Sequence, residues 1–247
     1  MTSTAAFLRQ LSLKKFAFCQ KKHLAKVRLL QLWTVDHFRI IEDNHKTNKT
    51  MKYLPSPRWL MIIGLLSLAL VFAFPLWQIL LEAPQFPGGL QMYIWVNKIS
   101  GTDKWILQNV NILNHYIGMK AIHPESIPEL KYFPIVAYIM LGLGAVTVVV
   151  NKVWGYLSWS ILLAILGALG IYDFYLWLYD YGHNLDPNAP IKVEGMTYQP
   201  PLLGGKNLLN FYVESYPHWG GVGLGLAIAF SALAFFKMKY DRNQALH

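Results

Sequence analysis

Cysteine, charge and acidic residues are what this sequence is short of. A single cysteine, Cys19, occurs in 247 residues. That excludes a disulfide within one chain and leaves residues 51–247 no thiolate with which to hold a metal. Such a stretch suits an oxidising compartment, where a free thiol is a liability. Charged residues make up 14% of the chain, well under the roughly 25% of soluble domains. With 54% of residues hydrophobic, a membrane protein is expected.

No acid occurs before Asp36. Residues 1–50 carry ten Lys or Arg against three acids, and residues 51–247 carry twelve against ten. The net charge of +9 therefore sits mainly in a basic N-terminal extension, and the body gives no reason to expect a nucleic-acid partner. The extension reads as a membrane-surface helix, as a mitochondrial-type targeting peptide, or as residues upstream of the natural start. The last is the expectation adopted, because MKYLPSPRW before an apolar run, from Met51, is an ordinary membrane-protein opening.

Four runs have about the 20 apolar residues that cross a bilayer: 59–81, 132–150, 154–179 and 219–236. The expected fold class is an all-α membrane protein, with four transmembrane helices in a domain of residues 51–247. Two long extracytoplasmic loops, 82–131 and 180–218, would hold short strands and a short helix. Lys52, Arg58, Lys152, Lys237, Lys239 and Arg242 flank the spans on one side, so both termini are expected in the cytoplasm. Pro75 predicts a kink in the first span. Gly221 and Gly225 in the fourth form a small-xxx-small pattern suited to close helix packing.

Histidine is missing from the interior of every span, which argues against haem held between facing helices. In the loops, LQMYIWVNKI reads as a strand, as does LNFYVESY. Ile106, Val110, Leu113 and Ile117 have helical spacing.

Residues 113–123 read LNHYIGMKAIH. On a helix, His115, Met119 and His123 at spacings of four fall near one stripe. Imidazole with thioether suits copper better than calcium or magnesium. His183 and His218 flank the third and fourth spans on the same side, and Met92 and Met196 add thioethers there. Against this stands the packing reading: loop histidines are usually surface groups and methionines usually fill cores. Pro124 predicts that any helix ends at His123. Asp173, near the outer end of the third span, reads equally as a proton or metal-entry group and as a carboxylate in a wet interface.

The segments NxxNHYIGM and YGHxLDPxAPIK resemble the two signatures of a family of bacterial four-span membrane proteins associated with copper delivery and the accessory machinery of nitrous oxide reductase. The resemblance covers roughly residues 84–236. It implies roles for Asn111, Asn114, His115, Tyr116, Gly118 and Met119, and for Tyr181, Gly182, His183, Asp186, Pro187 and Lys192. His123 and His218 lie outside it.

The expectation is an inner-membrane, non-enzymatic accessory protein. It would bind Cu(I) through His115, Met119 and His183, with His123 or His218 optional, and aid maturation of an extracytoplasmic copper enzyme. Its partners would be the bilayer, that enzyme or its maturation factors, with a homo-oligomer left open. The rival is a metal-free scaffold subunit of a membrane transporter or reductase complex. A surface enzyme using His183 and Asp186 as acid and base has no supporting nucleophile motif.

Overall fold

The computed structural model describes residues 50–191 and 197–246. The chain divides into two compact units, Met1–Leu54 and Pro55–His247, and the second holds the sheet and the long helices. The expectations on the basic extension and Cys19, and on Lys192 and Met196, fall outside the described residues.

Helix α1, Pro57–Ala73, opens with proline at its first position, where the missing N–H costs nothing. It stops at Phe74 and Pro75, and the chain turns directly into strand β1, Trp77–Ala83. β2 (Phe86–Ile94) and β3 (Ile99–Gly101) come next, then helix α2 (Ile106–Ile117). The long helices α3 (Glu129–Val150) and α4 (Val153–His183) continue the chain. Strands β4 (Gly204–Leu208) and β5 (Phe211–Pro217) lead into helix α5 (Trp219–Gln244).

The expected all-α, four-span fold is therefore corrected. Among the described residues three helices, α3, α4 and α5, are long and apolar enough to cross a membrane; α1 is a shorter apolar helix of 17 residues, roughly 26 Å. The two segments expected as loops supply, together with β1, a five-stranded antiparallel sheet of order β3-β2-β1-β5-β4. The expected span 59–81 fails at its second half. Residues 77–81 pair with β2 on one side and β5 on the other. A central strand is apolar enough to extend a helical hydrophobic run without a visible break.

The sheet has a covered face. Ile79, Leu90, Met92, Phe211 and Val213 are buried on it, and α2 lays Ile106, Val110, Leu113 and Ile117 against them. All four expected core positions of that helix are thus buried. The sheet is pinned across β1 and β5: the Trp77 indole donates to Ser215 Oγ at 2.8 Å, and Ser215 donates to the Leu202 carbonyl at 3.0 Å.

At 31 residues α4 is roughly 46 Å long, more than the roughly 30 Å of a hydrocarbon layer requires. Its last turns, with Trp177, Leu178 and Tyr181, continue into the sheet–α2 unit and pack in that core. Sheet, α2 and the end of α4 form a cap with its own apolar interior. A second interior lies in the helical bundle, around Met61, Leu68, Met140, Tyr156 and Trp159.

In the bundle α1 lies against α5 along a stripe of small residues. Gly220, Gly223, Ala227, Ser231 and Ala234 recur every three or four positions and are all buried. A Cβ on Gly223 would stand 2.5 Å from the Ser67 carbonyl, so the two backbones meet there. Of the two glycines expected to do this, Gly225 faces open space and Gly221 meets the Leu76 carbonyl instead.

Candidate functional site

The two signature segments meet, and they meet through backbone. Gly118 O accepts the Asp186 N–H at 2.8 Å, and Tyr116 O accepts the Ile191 N–H at 3.0 Å. The join begins with how α2 ends. Gly118 takes a left-handed conformation (φ 79°), its N–H donates to His115 O, and the Met119 N–H donates back to Asn114 O at 2.8 Å. This pair of bonds is a Schellman stop, which favours glycine at that position and an apolar residue after it. Here the residue after it is Met119, which packs partly buried against the cap core.

The chain beyond is tied back onto the helix. Asn111 Oδ1 accepts the Ile122 N–H at 2.7 Å while its Nδ2 donates to Ile122 O at 3.1 Å. One amide side chain thus satisfies both backbone groups of a buried residue, as a neighbouring strand would. Buried Asn114 donates to Lys120 O, and the Tyr181 hydroxyl donates to Ala121 O at 3.2 Å. Asp186 Oδ1 accepts the Asn188 N–H, closing a turn that seats buried Ala189 over Gly118. Gly182 O accepts the Tyr198 N–H, so the joint also holds the start of the β4 segment.

An ion pair marks the rim, with Lys120 Nζ 2.8 Å from Asp180. The Lys120 ammonium, and after it the Asn184 amide, hold the Asp180 carboxyl below the usual carboxylate range. Both partners of the pair are about half exposed, so it fixes register more than it adds stability.

The five expected metal ligands separate. Because α2 ends at Ile117, His115, Met119 and His123 do not share a helical stripe. His115 is exposed, and its ring lies beside that of Tyr116, at 6.2 Å between centroids. Met119 points into the cap core, beside a cavity of about 60 Å³ that Met92 also lines. His123 is exposed at the start of a short 3₁₀ turn, its carbonyl accepting from Ser126. His218 is at the start of α5, in the seam between sheet and bundle: its N–H donates to Leu76 O and its ring meets Tyr93 edge-on. Its Nδ1 is buried and has no partner among the described residues.

His183 closes α4. Its Nδ1 lies 2.9 Å from Tyr179 O and its ring stacks on the Tyr179 ring at 3.8 Å. A carbonyl can only accept, so Nδ1 carries a proton, and in the neutral ring the lone pair is on Nε2. His183 and His115 are thus the two expected ligands that flank the joint with a ring nitrogen unspent. Among the described residues, no three of His, Cys, Asp and Glu are grouped so as to hold a metal ion.

Sequence reasoning missed the work of Asn111 and Asn114, the Lys120–Asp180 pair, and the packing of Tyr181 on Trp177 at 4.1 Å. The glycine of YIGM was the one local signal of the helix stop. A scan of protein-family models finds none that matches the chain, and a search of curated proteins finds no relative.

Proposed function

We propose that this protein is a membrane-anchored accessory subunit without catalytic activity, whose cap docks an extracytoplasmic partner at a bacterial inner membrane. The observation that carries this reading is the outer face of α2. The joint uses its polar groups inside the chain, yet Ile112 and Tyr116, one helical turn apart, remain 45% and 48% exposed. Trp105, at the start of the same helix, is 56% exposed, and His115 sits beside Tyr116. A rigid helix presenting an aromatic–aliphatic stripe is suited to protein docking. The likeness of the joint's segments to the nitrous oxide reductase accessory family points to that machinery as the partner class.

The orientation proposed keeps both termini in the cytoplasm. Arg58, Lys152 and Arg242 gather at the end of the bundle away from the cap, as the charge rule asks of a cytoplasmic side.

The test is partner recovery. The full chain, purified from its own membranes in mild detergent, is expected to bring down one partner in stoichiometric amount. Tyr116→Asp together with Ile112→Asp should weaken that association about thirtyfold or more, as loss of a central anchor does. Unchanged recovery of the partner by the double variant contradicts the docking role.

A second reading is favoured by the free ring nitrogens. His115, whose ring makes no hydrogen bond to the described residues, and Nε2 of His183 could together offer an exchangeable Cu(I) site of low coordination number. Met119 would join them only by leaving the core it packs against. Under this reading the protein relays copper to the same partner class.

A further inference from the structure

At the end of the bundle away from the cap lies an open cavity of about 710 Å³. Three separate parts of the chain wall it: the start of α1 (Ser56 to Arg58), the α3–α4 turn (Asn151 to Trp154), and the last turns of α5. Each part contributes one cation, namely Arg58, Lys152 and Arg242. None of the three has an ion-pair partner among the described residues. The single acid in the wall, Asp241, is taken by Lys237, which is itself buried.

Two further features add positive potential. α1 and α4 both begin at this cavity, and neither Ser56 nor Lys152 caps its helix through a side chain. Pro57 has no N–H and the Gly155 N–H is taken by Lys152 O, which leaves the N–H groups of Arg58, Trp59, Val153 and Trp154 and the two helix dipoles facing an anion. The turn carrying Lys152 is held in place: Asn151 adopts a left-handed φ of 51°, and its side-chain oxygen accepts the Tyr156 hydroxyl at 2.6 Å. Apolar surface completes the wall, from Val153, Met238 and Trp154, the last 74% exposed where headgroup-level anchors sit.

We propose that this cavity binds the phosphate of an anionic phospholipid, with Arg58, Lys152 and Arg242 closing on its oxygens and the acyl chains leaving along the apolar wall. Three unpaired cations and two helix N-termini converging on one space suit a phosphate better than a carboxylate or a neutral headgroup. The inference is independent of what the cap does.

The experiment uses the full chain in neutral detergent, titrated with dihexanoyl phosphatidic acid, dihexanoyl phosphatidylcholine and inorganic phosphate. The expected result is saturable binding of phosphatidic acid at one per chain, with much weaker binding of the other two. Each cation removed should weaken binding about fivefold, so Arg58→Gln/Lys152→Gln/Arg242→Gln should bind about a hundredfold more weakly. Lys104→Gln, at the cap, should bind as the unaltered protein does. Equal affinity for inorganic phosphate would overturn the lipid as the source while keeping the phosphate chemistry. Undiminished binding by the triple variant, or an equal loss in Lys104→Gln, would overturn the site itself. Should the triple variant fail to fold, Lys152→Gln alone, an exposed turn residue, must still show the fivefold loss; no loss overturns the proposal.

Discussion

Gly182→Ala is expected to release the cap from the end of α4. A Cβ there would stand 2.2 Å from Gln199 Cα and 2.4 Å from Gln199 N. Those are backbone atoms, so no rotamer change relieves the overlap; the 197–200 segment must shift by more than an ångström. That shift breaks the bond from the Tyr198 N–H to Gly182 O and moves Tyr198, whose ring is 2% exposed in the cap core. Overpacking of this kind costs about 3 kcal/mol or more. Limited proteolysis of the purified variant should cut the β4–β5 region readily while the bundle helices survive. Protection equal to the unaltered protein would mean that the packing of α4 on that segment is not what seats the sheet.

Gly118→Ala strikes the other half of the joint, for two separable reasons. A left-handed φ of 79° costs a non-glycine residue about 1–2 kcal/mol. The new methyl would also lie 2.9 Å from Ala189 Cβ and 3.1 Å from both N and O of Asp186. Together these are expected to cost about 2–4 kcal/mol, and to loosen the bond from the Asp186 N–H to Gly118 O. Asparagine tolerates the left-handed region, so if conformation alone mattered Gly118→Asn would be mild. The contacts predict that it is as damaging as alanine, and that adding Ala189→Gly to Gly118→Ala recovers part of the loss. Thermal unfolding followed by tryptophan fluorescence reads all three. A mild Gly118→Asn variant would place the whole effect in the backbone angle.

These two glycines also show what the sequence could and could not disclose. The core face of α2 was legible because Ile106, Val110, Leu113 and Ile117 follow helical spacing, and all are buried. The helix stop was misplaced: Pro124 put it at His123, whereas the helix ends at Ile117, where glycine followed by an apolar residue is the local signal. The four-residue spacing of His115, Met119 and His123 competes with that signal, and the glycine prevails because the helix cannot run through the Schellman turn. What Gly118 and Gly182 touch was not legible, because Asp186, Ala189 and Gln199 are distant in sequence or joined by no repeating pattern. The first span misled for a different reason. WQILLEA is a central strand paired on both sides, and its apolar character continues the helix before it. Pro75 was the boundary, and it reads equally as a kink until the pairing partners are known.

Of the candidate site, the sequence brought forward two segments that meet through backbone hydrogen bonds, and assigned them chemistry that their side chains only partly leave free. Asn111, Asn114 and Tyr181 are spent on backbone groups, and Met119 on the cap core. Beside the joint, His115 and one nitrogen of His183 are left over for a metal, while His123 and His218 lie apart from it.

The most direct measurement is therefore copper content by mass spectrometry, on full-length protein loaded with Cu(I) and washed with a weak chelator. The His115→Ala/His183→Ala variant is run beside it. If the signature residues exist to build a docking cap, both proteins retain the same amount, well under one copper per chain. About one copper per chain in the unaltered protein, lost in the variant, would contradict the metal-free docking role and make the joint a copper site.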